Sequence, residues 1–437
     1  MNEDQKAVGR PALDPQWAWA RYEPDARRPW NLALAGHLYR RAAFGASWPQ
    51  LQRALTDGPQ KTLDGLLRPL ADVVAFNRKF DDYETPPGDD RNATELRAWW
   101  LQRMIRTPHP LQEKMTLFWS GHCAANNTKA ESAAVMQRHL QLLRRHALGD
   151  FRGLLAGLVR DAAMFATYNA KANRKIKPIP DLPRWLFEAH LGITVEPDVR
   201  EAARAFTGWF IYNDELRYIE REHDTGSKKI LGREGAFGAD DVARLVLEQP
   251  ATAATLVRKL YHWLISESVD PDAALLAPLV AAYAQNYDTL ALVETMLRSN
   301  LFFSPEAYRQ RVKSPVEYAL GIIAGLETSV ATQPLANALA DMGQSLLHPP
   351  TSKGWTGGRN WLNPATVSAR LKLAEALLHN GTYIENISPA AVAQKNGQPA
   401  ATFFPKLYLQ DETSTRSDSD AHRAAYAAVS QPEFQLS

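Results

Sequence analysis

The segment DVREAARAFTGWFIYNDELRYIE, residues 198–220, changes its hydrophobic period part-way along. Its first half spaces apolar residues as a helix does, and Pro197 favours the start of a helix that runs through Thr207. The second half is rich in aromatic and aliphatic residues on both sides of Asn213-Asp214, a pair that favours a tight hairpin turn. The segment therefore predicts a helix followed by two strands. Because one face of the strands must be covered, we expect the hairpin to pack on the helix that ends near Thr207.

Helical periodicity dominates the chain on both sides of that segment. Glycine and proline separate the helical stretches, as Gly58-Pro59 does between predicted helices at 48–55 and 62–67. After the hairpin, Lys229-Ile-Leu-Gly is a candidate third strand. We therefore predict a mainly α protein, a multi-helix single body with a small antiparallel β-hairpin lobe near residues 209–232.

Three regions are expected along the chain. Residues 1–30 form an irregular N-terminal arm, because prolines interrupt a segment that is too aromatic for a free tail. Residues 31–410 form the helical domain with its β insertion, and residues 411–437 form a polar linker and a C-terminal helix. Within the helical domain, the charged stretch 76–91 and residues 380–400 are expected to be loops.

The composition excludes several classes of protein. With 50 lysines and arginines against 48 acidic residues, the net charge of +2 lacks the basic excess of a nucleic-acid-binding domain. Cys123 is the only cysteine, which excludes an intramolecular disulfide framework and a cysteine-rich metal site. We find no apolar run long enough to span a bilayer. The first residues lack the order of a secretory signal, so a cytoplasmic location is expected.

Phrases spread over most of the chain resemble a known family. They are HLYRRAAFG (37–45), EKMTLFW (113–119), GH (121–122), LRRHALG (143–149), DVREAARAFTGW (198–209), HD (223–224), KSPVE (313–317) and KGWTGG (353–358). Together, and in this order, they resemble the bacterial domain of unknown function 1800 family. The resemblance implies membership of an uncharacterised family and no particular reaction.

Two departures from the family pattern bear on function. Ser120 stands where the family has the first histidine of a Phe-Trp-His-Gly-His phrase. The segment 179–186 stands where the family has an Asn-Glu-Asn…Arg-Glu-Leu phrase. If those family residues share a site, its chemistry is changed or lost in this chain.

Acid–base chemistry is the first candidate activity, since two neighbouring carboxyl groups can transfer protons in glycoside cleavage. The candidate catalytic residues are Glu201 and Asp224, with His122 or His223 as partner. Glu201 also has a structural interpretation, a buried ion pair with Arg204 three residues along the same helix. The sequence alone leaves both open.

Substrate contacts are expected from basic and aromatic side chains. The basic candidates are Arg200, Arg204, Lys228, Lys353 and Arg359, and the stacking candidates are Trp209 and Trp355. Trp355 lies in a glycine-rich loop, where an indole has less to pack against than on a helix. We expect the candidates to converge on one cleft between the helical body and the β lobe. In particular, five side chains should meet there: His122, Glu201, His223, Asp224 and Lys353.

The leading functional hypothesis is an enzyme that acts on a polar substrate, anionic or carbohydrate-like, for example a hydrolase or lyase. The alternatives are a non-catalytic scaffold or partner-binding protein, and a metal-dependent oxidoreductase. The histidines lack the spacing of a metal site, so no metal ligand is assigned, and no cofactor follows from the sequence. The expected partner is a small molecule or saccharide; nucleic acid and a membrane span are not expected, and a protein partner stays open.

Overall fold

The structure, a computed structural model, describes residues 13–69, 72–81, 90–379, 383, 388–412 and 420–437. Its helices there are α1 (Pro15–Trp19), α2 (Leu32–Ala42), α3 (Trp48–Leu67), α4 (Val73–Asp81), α5 (Asp90–Arg106), α6 (Pro110–Cys123), α7 (Asn127–Ala130), α8 (Ala133–Arg145), α9 (Phe151–Leu158), α10 (Ala162–Thr167), α11 (Asp181–Leu191), α12 (Glu196–Ala205), α13 (Ala239–Leu247), α14 (Pro250–Leu264), α15 (Ala273–Asn286), α16 (Thr289–Arg298), α17 (Pro315–Leu326), α18 (Thr332–Asp341), α19 (Pro364–Leu378), α20 (Pro389–Lys395), α21 (Ala400–Phe404) and α22 (Ala421–Val429). The strands are β1 (Trp209–Tyr212), β2 (Glu215–Tyr218), β3 (Lys228–Ile230) and β4 (Arg233–Gly235). They pair as two antiparallel hairpins, β1 with β2 and β3 with β4. The predicted fold class, mainly α with a small antiparallel lobe, is confirmed.

The first hairpin has the turn that the sequence predicts. Trp209 pairs with Tyr218 across the two strands. Between the strands, Asn213 and Asp214 have φ values of 48° and 63°. A two-residue turn that follows the twist of the strands requires such left-handed values at both positions, and Asn and Asp tolerate them better than most residues.

The position of this hairpin differs from the expectation. β1 packs against α10, and it is β3 that runs along α12. The reason lies in two carboxylates of α12: Asp198 Oδ1 accepts from Leu231 N at 3.0 Å, and Glu201 Oε2 accepts from Lys229 N at 3.3 Å. These side chains satisfy backbone N–H groups in and beside β3, so they hold the second hairpin on the helix.

Glycine and proline mark a bend in one helix and the first residue of others. At Gly58, whose φ is 77°, α3 bends where the sequence predicts a break. Elsewhere, however, α1 and α20 form within segments that we expected to be irregular, and α4 and the start of α5 overlap the expected loop at 76–91. α1 and α20 begin at a proline, which is tolerated there because the first helical N–H has no intrahelical acceptor. The expectations for residues 1–12, 82–89, 380–382, 384–387 and 413–419 lie outside the described residues.

Buried ion pairs attach α6 to its neighbours. Glu113 accepts from Arg144 Nε of α8 at 2.6 Å. Lys114 donates to Glu317 of α17, which also pairs with Arg311. Burial alone would raise the pKa of Glu317, but the two cations hold it well below its usual range, so the carboxylate is charged. Because a buried charge needs such partners, these contacts constrain where α6 lies.

Several tryptophans of the helices belong to the core. Trp100 and Trp119 are fully buried, and the indole N–H of Trp119 donates to the carbonyl oxygen of Ala147 at 3.0 Å. The apolar side chains are therefore gathered between helices. Within the ranges given above, no helix is both long enough and apolar enough to cross a membrane.

Candidate functional site

A cavity of about 510 Å³ opens between α6, α14 and the loop that follows α18, at residues 344–361. This volume suits a small organic ligand. Its main polar and aromatic lining residues are Phe118, His122, Lys259, His262, Trp263, Glu267, Arg311, Lys353, Trp355 and Trp361. Three residues predicted for the site, His122, Lys353 and Trp355, therefore lie together here.

Two glycines shape the loop, and one of them, Gly354, allows it to approach α6 closely. Gly354 has a φ of 79°, and a Cβ added to it would lie 2.2 Å from the carbonyl oxygen of Gly121 on α6. Gly358 has a φ of 59°, and its added Cβ would lie 3.8 Å from the carboxylate of Glu267. Glycine adopts the left-handed backbone without cost and leaves room for the close approach. The phrase at 353–358 thereby holds Trp355 at the wall of the cavity.

A chain of hydrogen bonds runs from two residues that line the cavity, Lys259 and His122, to His190 in the core. His190 Nδ1 lies 2.7 Å from the carbonyl oxygen of Leu186, so Nδ1 carries the proton and Nε2 is an acceptor. His122 Nε2 lies 3.2 Å from that Nε2 and therefore donates to it, which leaves His122 Nδ1 as an acceptor. Lys259 Nζ, 3.1 Å from His122 Nδ1, is the donor. The neighbours thus determine the neutral tautomer of both imidazoles.

Burial controls the protonation of the same chain. It lowers the pKa of His190 to about 3 and, with the added effect of the Lys259 charge, lowers the pKa of His122 well below its usual value. Burial also lowers the pKa of Lys259 to about 8. An amine with such a pKa is present in both forms at mildly alkaline pH and can exchange a proton with a bound molecule. Lys259 is therefore the strongest candidate for proton transfer in the cavity.

Glu267 is the one carboxylate among the described residues that line the cavity. Burial raises its pKa, because the charge of Arg311 and a hydrogen bond from Val312 N offset the loss of hydration only in part. A carboxyl group with a raised pKa holds its proton closer to neutral pH, as a general acid must. The cavity therefore contains an amine and a carboxyl group whose pKa values both move towards neutrality.

The other cations of the cavity differ in their surroundings. The guanidinium of Arg311 lies 4.5 Å from the ring centroid of Trp263 and pairs with the buried Glu317. Arg311 is therefore already paired before any ligand binds. Lys353 is exposed at the rim, where it can meet an anionic group of a ligand.

Four of the predicted residues form a separate cluster between α12 and the β lobe. Arg204 donates to Asp224 through two hydrogen bonds of 2.7 and 3.1 Å, and to Glu201 through one of 2.7 Å. Lys228 Nζ donates to the carbonyl oxygen of Asp224 at 2.6 Å. The side-chain hydrogen bond from Arg204 is the largest cause that lowers the pKa of Asp224 to about 2. Asp224 is therefore ionised at neutral pH, which does not suit a general acid.

The expectation of one convergent site is not met. Of the described residues, those that line the cavity with His122 and Lys353 include none of Glu201, His223 and Asp224. The cavity lies against the loop at 344–361 and not at the β lobe. Arg204 of α12 pairs with both candidate carboxylates, so it holds Asp224 beside Glu201 at that helix and away from the cavity.

The remaining predicted residues have local surroundings. His223 Nδ1 lies 2.9 Å from a backbone carbonyl oxygen just after α12. The ring of Trp209 lies 5.0 Å from that of Tyr218 across the hairpin. Arg200 and Arg359 are exposed, on α12 and in the 344–361 loop respectively, and neither is a described lining residue of the cavity.

A larger cavity, about 1040 Å³, lies between α2, α3 and α17. The three carboxylates among its described lining residues are engaged in ion pairs: Asp57 with Lys61 at 2.7 Å, Glu327 with Lys395 at 2.8 Å, and Asp64 with Arg298. Its described lining also contains no histidine. We therefore place the candidate chemistry in the smaller cavity, where groups with shifted pKa values meet aromatic rings.

Sequence reasoning missed Lys259, Glu267, His190 and Arg311. Lys259 and His190 belong to helices that pack largely in the core, and Glu267 follows α14 without any distinctive phrase. The sequence offers a signal for one of them, because Arg311 stands two residues before the KSPVE phrase at 313–317. The other three are brought together only by tertiary packing.

Comparisons with known proteins give one result. Neither the curated proteins nor the solved structures contain a match to the chain. A family model described as "Protein of unknown function (DUF1800)" matches residues 37–436, nearly the whole sequence. The chain therefore belongs to the DUF1800 family, as the phrases from HLYRRAAFG to KGWTGG predict.

Proposed function

We propose that this protein is an enzyme that binds an acidic saccharide in the cavity between α6, α14 and the 344–361 loop. The observation that supports this most strongly is the lining itself, in which tryptophan rings, basic groups and Glu267 surround one space. Indole rings offer flat apolar faces to the C–H face of a sugar ring. Basic side chains attract the carboxylate or sulfate of an acidic sugar.

Lys259 and Glu267 are the proposed proton-transfer groups. Lys259 Nζ donates to His122 Nδ1 and to the carbonyl oxygen of Ala189, both at 3.1 Å. One further position on the nitrogen remains. That position holds a proton in the charged form and a lone pair in the neutral form. Lys259 can thus act as a base, while Glu267, with its raised pKa, can donate a proton to a leaving oxygen. Such a pair suits a hydrolase or a lyase.

Ligand binding is assigned to the loop and the adjacent end of α14. Lys353 at the rim is the proposed contact for the anionic group. Trp355 and Trp263 are the proposed stacking rings, and the close approach of Gly354 to α6 holds Trp355 in place. This proposal replaces Arg200, Arg204 and Lys228, which lie outside the cavity lining.

The scaffold alternative also has a specific observation in its favour. Several family phrases supply buried ion pairs, such as Glu113 with Arg144 and Lys114 with Glu317. Residues used in this way serve packing and need no substrate. In that case the cavity would bind a partner's side chain or nothing, and no saccharide would be cleaved.

The test is a binding and cleavage assay with oligosaccharides of uronic acids and neutral oligosaccharides of the same length. We expect one molecule of the acidic ligand to bind per chain, and W355A to weaken binding by roughly tenfold, the loss of one stacked ring. W17A, which removes a partly exposed indole from α1, should bind as the wild type does. K259M should still bind but not cleave. New reducing ends without unsaturated sugars would indicate hydrolysis, and unsaturated ends would indicate elimination. Absence of binding to every acidic oligosaccharide would contradict the proposal.

A further inference from the structure

A second group of ligating side chains lies at the junction of α19 and α22. Glu375 is on the last turns of α19, His379 follows its last residue, and His422 is on the first turn of α22. One ligand atom from each lies within 4.8 Å of the other two. None of the three is a described lining residue of the 510 Å³ cavity, so this group is independent of the proposed active site.

The distances in this group approach those of a coordination site. His379 Nδ1 lies 3.2 Å from Glu375 Oε1, and His422 Nε2 lies 3.9 Å from Glu375 Oε2. Zinc binds nitrogen and oxygen at about 2.0–2.2 Å, so two ligands of one tetrahedral ion are roughly 3.3–3.5 Å apart. Small side-chain rotations would therefore bring the three ligands to a common ion.

The second observation is an unsatisfied nitrogen. His422 Nε2 is buried and has no hydrogen-bond partner among the described residues. Its ring centroid is 3.7 Å from that of His379, so two imidazoles meet in one small space. A buried nitrogen without a hydrogen bond carries a free-energy cost, which a metal ion at its lone pair would remove.

The backbone supports this arrangement. Glu375 and His379 are four residues apart, which puts them on one face of the helix. Asp420 caps α22 and accepts from His422 N at 2.9 Å, which holds the backbone of His422 in place. The packing of α19 on α22 then brings the third ligand to the other two.

We propose that Glu375, His379 and His422 bind one divalent transition metal ion of the zinc class. Two imidazole nitrogens and one carboxylate oxygen favour zinc and its neighbours over magnesium or calcium, which prefer oxygen ligands. Because His379 is exposed, water completes the coordination. The ion would join α22 to α19 and stabilise the C-terminal part of the fold.

The test is a calorimetric titration of metal-free protein, without a histidine tag, with zinc chloride. We expect one ion per chain with a Kd on the order of 1 µM or tighter. H379Q and H422Q should each raise the Kd at least about tenfold. H348Q, which removes an exposed histidine outside the group, should leave it unchanged. Circular dichroism of each variant establishes that it is folded.

A melting curve gives an independent measure. Zinc at about a hundred times its Kd should raise the Tm of the wild type and of H348Q by roughly 3 °C, and should leave the Tm of the H379Q/H422Q double variant unchanged. Absence of a one-to-one isotherm with the wild type would overturn the proposal. The same would follow if the double variant bound zinc as tightly as H348Q does.

Discussion

Gly354 lies against Gly121 so closely that a Cβ on Gly354 would be 2.2 Å from the Gly121 carbonyl oxygen. The two glycines belong to phrases that are far apart in the sequence, GH at 121–122 and KGWTGG at 353–358. Their contact puts Trp355 and His122 in the lining of the same cavity. The loop and the C-terminal end of α6 are therefore one structural unit.

The first prediction concerns Gly354→Ala. Alanine at position 354 must adopt a φ of 79°, and its methyl group must displace the backbone of α6. We expect it to lower the free energy of unfolding by about 2–4 kcal/mol, the sum of left-handed strain and overpacking. Gly232→Ala is the matched control, because Gly232 has a φ of 77° but nothing within 4 Å of an added Cβ. It should lose only about 1–2 kcal/mol.

Urea denaturation of both variants provides the measurement. Equal losses for the two glycines would mean that the loop does not press on α6 in solution. A larger loss for Gly354→Ala, with weaker ligand binding, would support the close approach.

The second prediction concerns Glu317, which is almost fully buried and pairs with Lys114 and Arg311. Glu317→Gln leaves two buried cations without their counter-charge, so we expect a loss of about 3–5 kcal/mol in the free energy of unfolding. Glu327→Gln removes a carboxylate from α17's C-terminal end, where it pairs with the largely exposed Lys395. That control should lose less than about 1 kcal/mol, measured in the same denaturation series. Similar values for both would contradict the buried network.

The third prediction concerns Glu201 and Asp224, which both accept from Arg204. Asp224→Asn should cost about 1–2 kcal/mol at pH 7, less than the full pKa change implies because the ion pair is partly solvated. Since the pKa of Asp224 is lowered from 3.8 to about 2, its contribution is complete above about pH 4 and is lost as the pH falls towards 2. Denaturation at pH 7 and pH 3 should therefore show a smaller difference from the wild type at pH 3.

Glu201→Gln should likewise cost about 1 kcal/mol, since it weakens the two hydrogen bonds that Glu201 accepts, one from Arg204 and one from Lys229 N. Glu215→Gln is the control, because Glu215 forms an exposed pair with Arg217 and should have almost no effect. Neither Glu201→Gln nor Asp224→Asn should change saccharide binding. A loss of cleavage in either variant, at unchanged stability, would return the chemistry to the β lobe.

The sequence predicts the longer helices and the hairpin because they depend on local patterns, but it misses the short helices α1, α4 and α20. The change of period at Gly208 and the Asn213-Asp214 turn are sufficient to locate the hairpin in the sequence. They do not predict which helix the hairpin packs against. Asp198 and Glu201 bind backbone N–H groups of the second hairpin, and no local pattern reveals that choice.

The candidate site shows the same limit. The glycine-rich phrase at 353–358 indicates a functional loop, and His122 and Trp355 do line the cavity. Lys259, however, has a lowered pKa because the fold buries it, next to His122. Its position on a helix carries no sign of this, since burial by distant segments is a tertiary property.

The last prediction concerns the pH dependence of stability that Lys259 produces. Its pKa is about 8 in the folded protein against an ordinary value of 10.5, because burial disfavours the charged form. Between these values the unfolded chain binds more protons than the folded one, so the free energy of unfolding rises with pH. This contribution of Lys259 to the free energy of unfolding is complete above pH 10.5 and is lost as the pH falls through about 8. It amounts to up to about 3 kcal/mol.

Lys259→Met removes this gain, because methionine does not titrate and tolerates burial. The wild type should therefore gain stability relative to Lys259→Met between pH 8 and pH 10, by urea denaturation at the two pH values. The similarly buried Lys114, whose pKa burial also lowers to about 8, titrates in both proteins and cancels in the comparison. Lys372→Met, at an exposed position on α19, should follow the wild type at both pH values. A constant difference between the wild type and Lys259→Met across this range would mean that Lys259 is not the group with the lowered pKa, and would remove it as the proposed base.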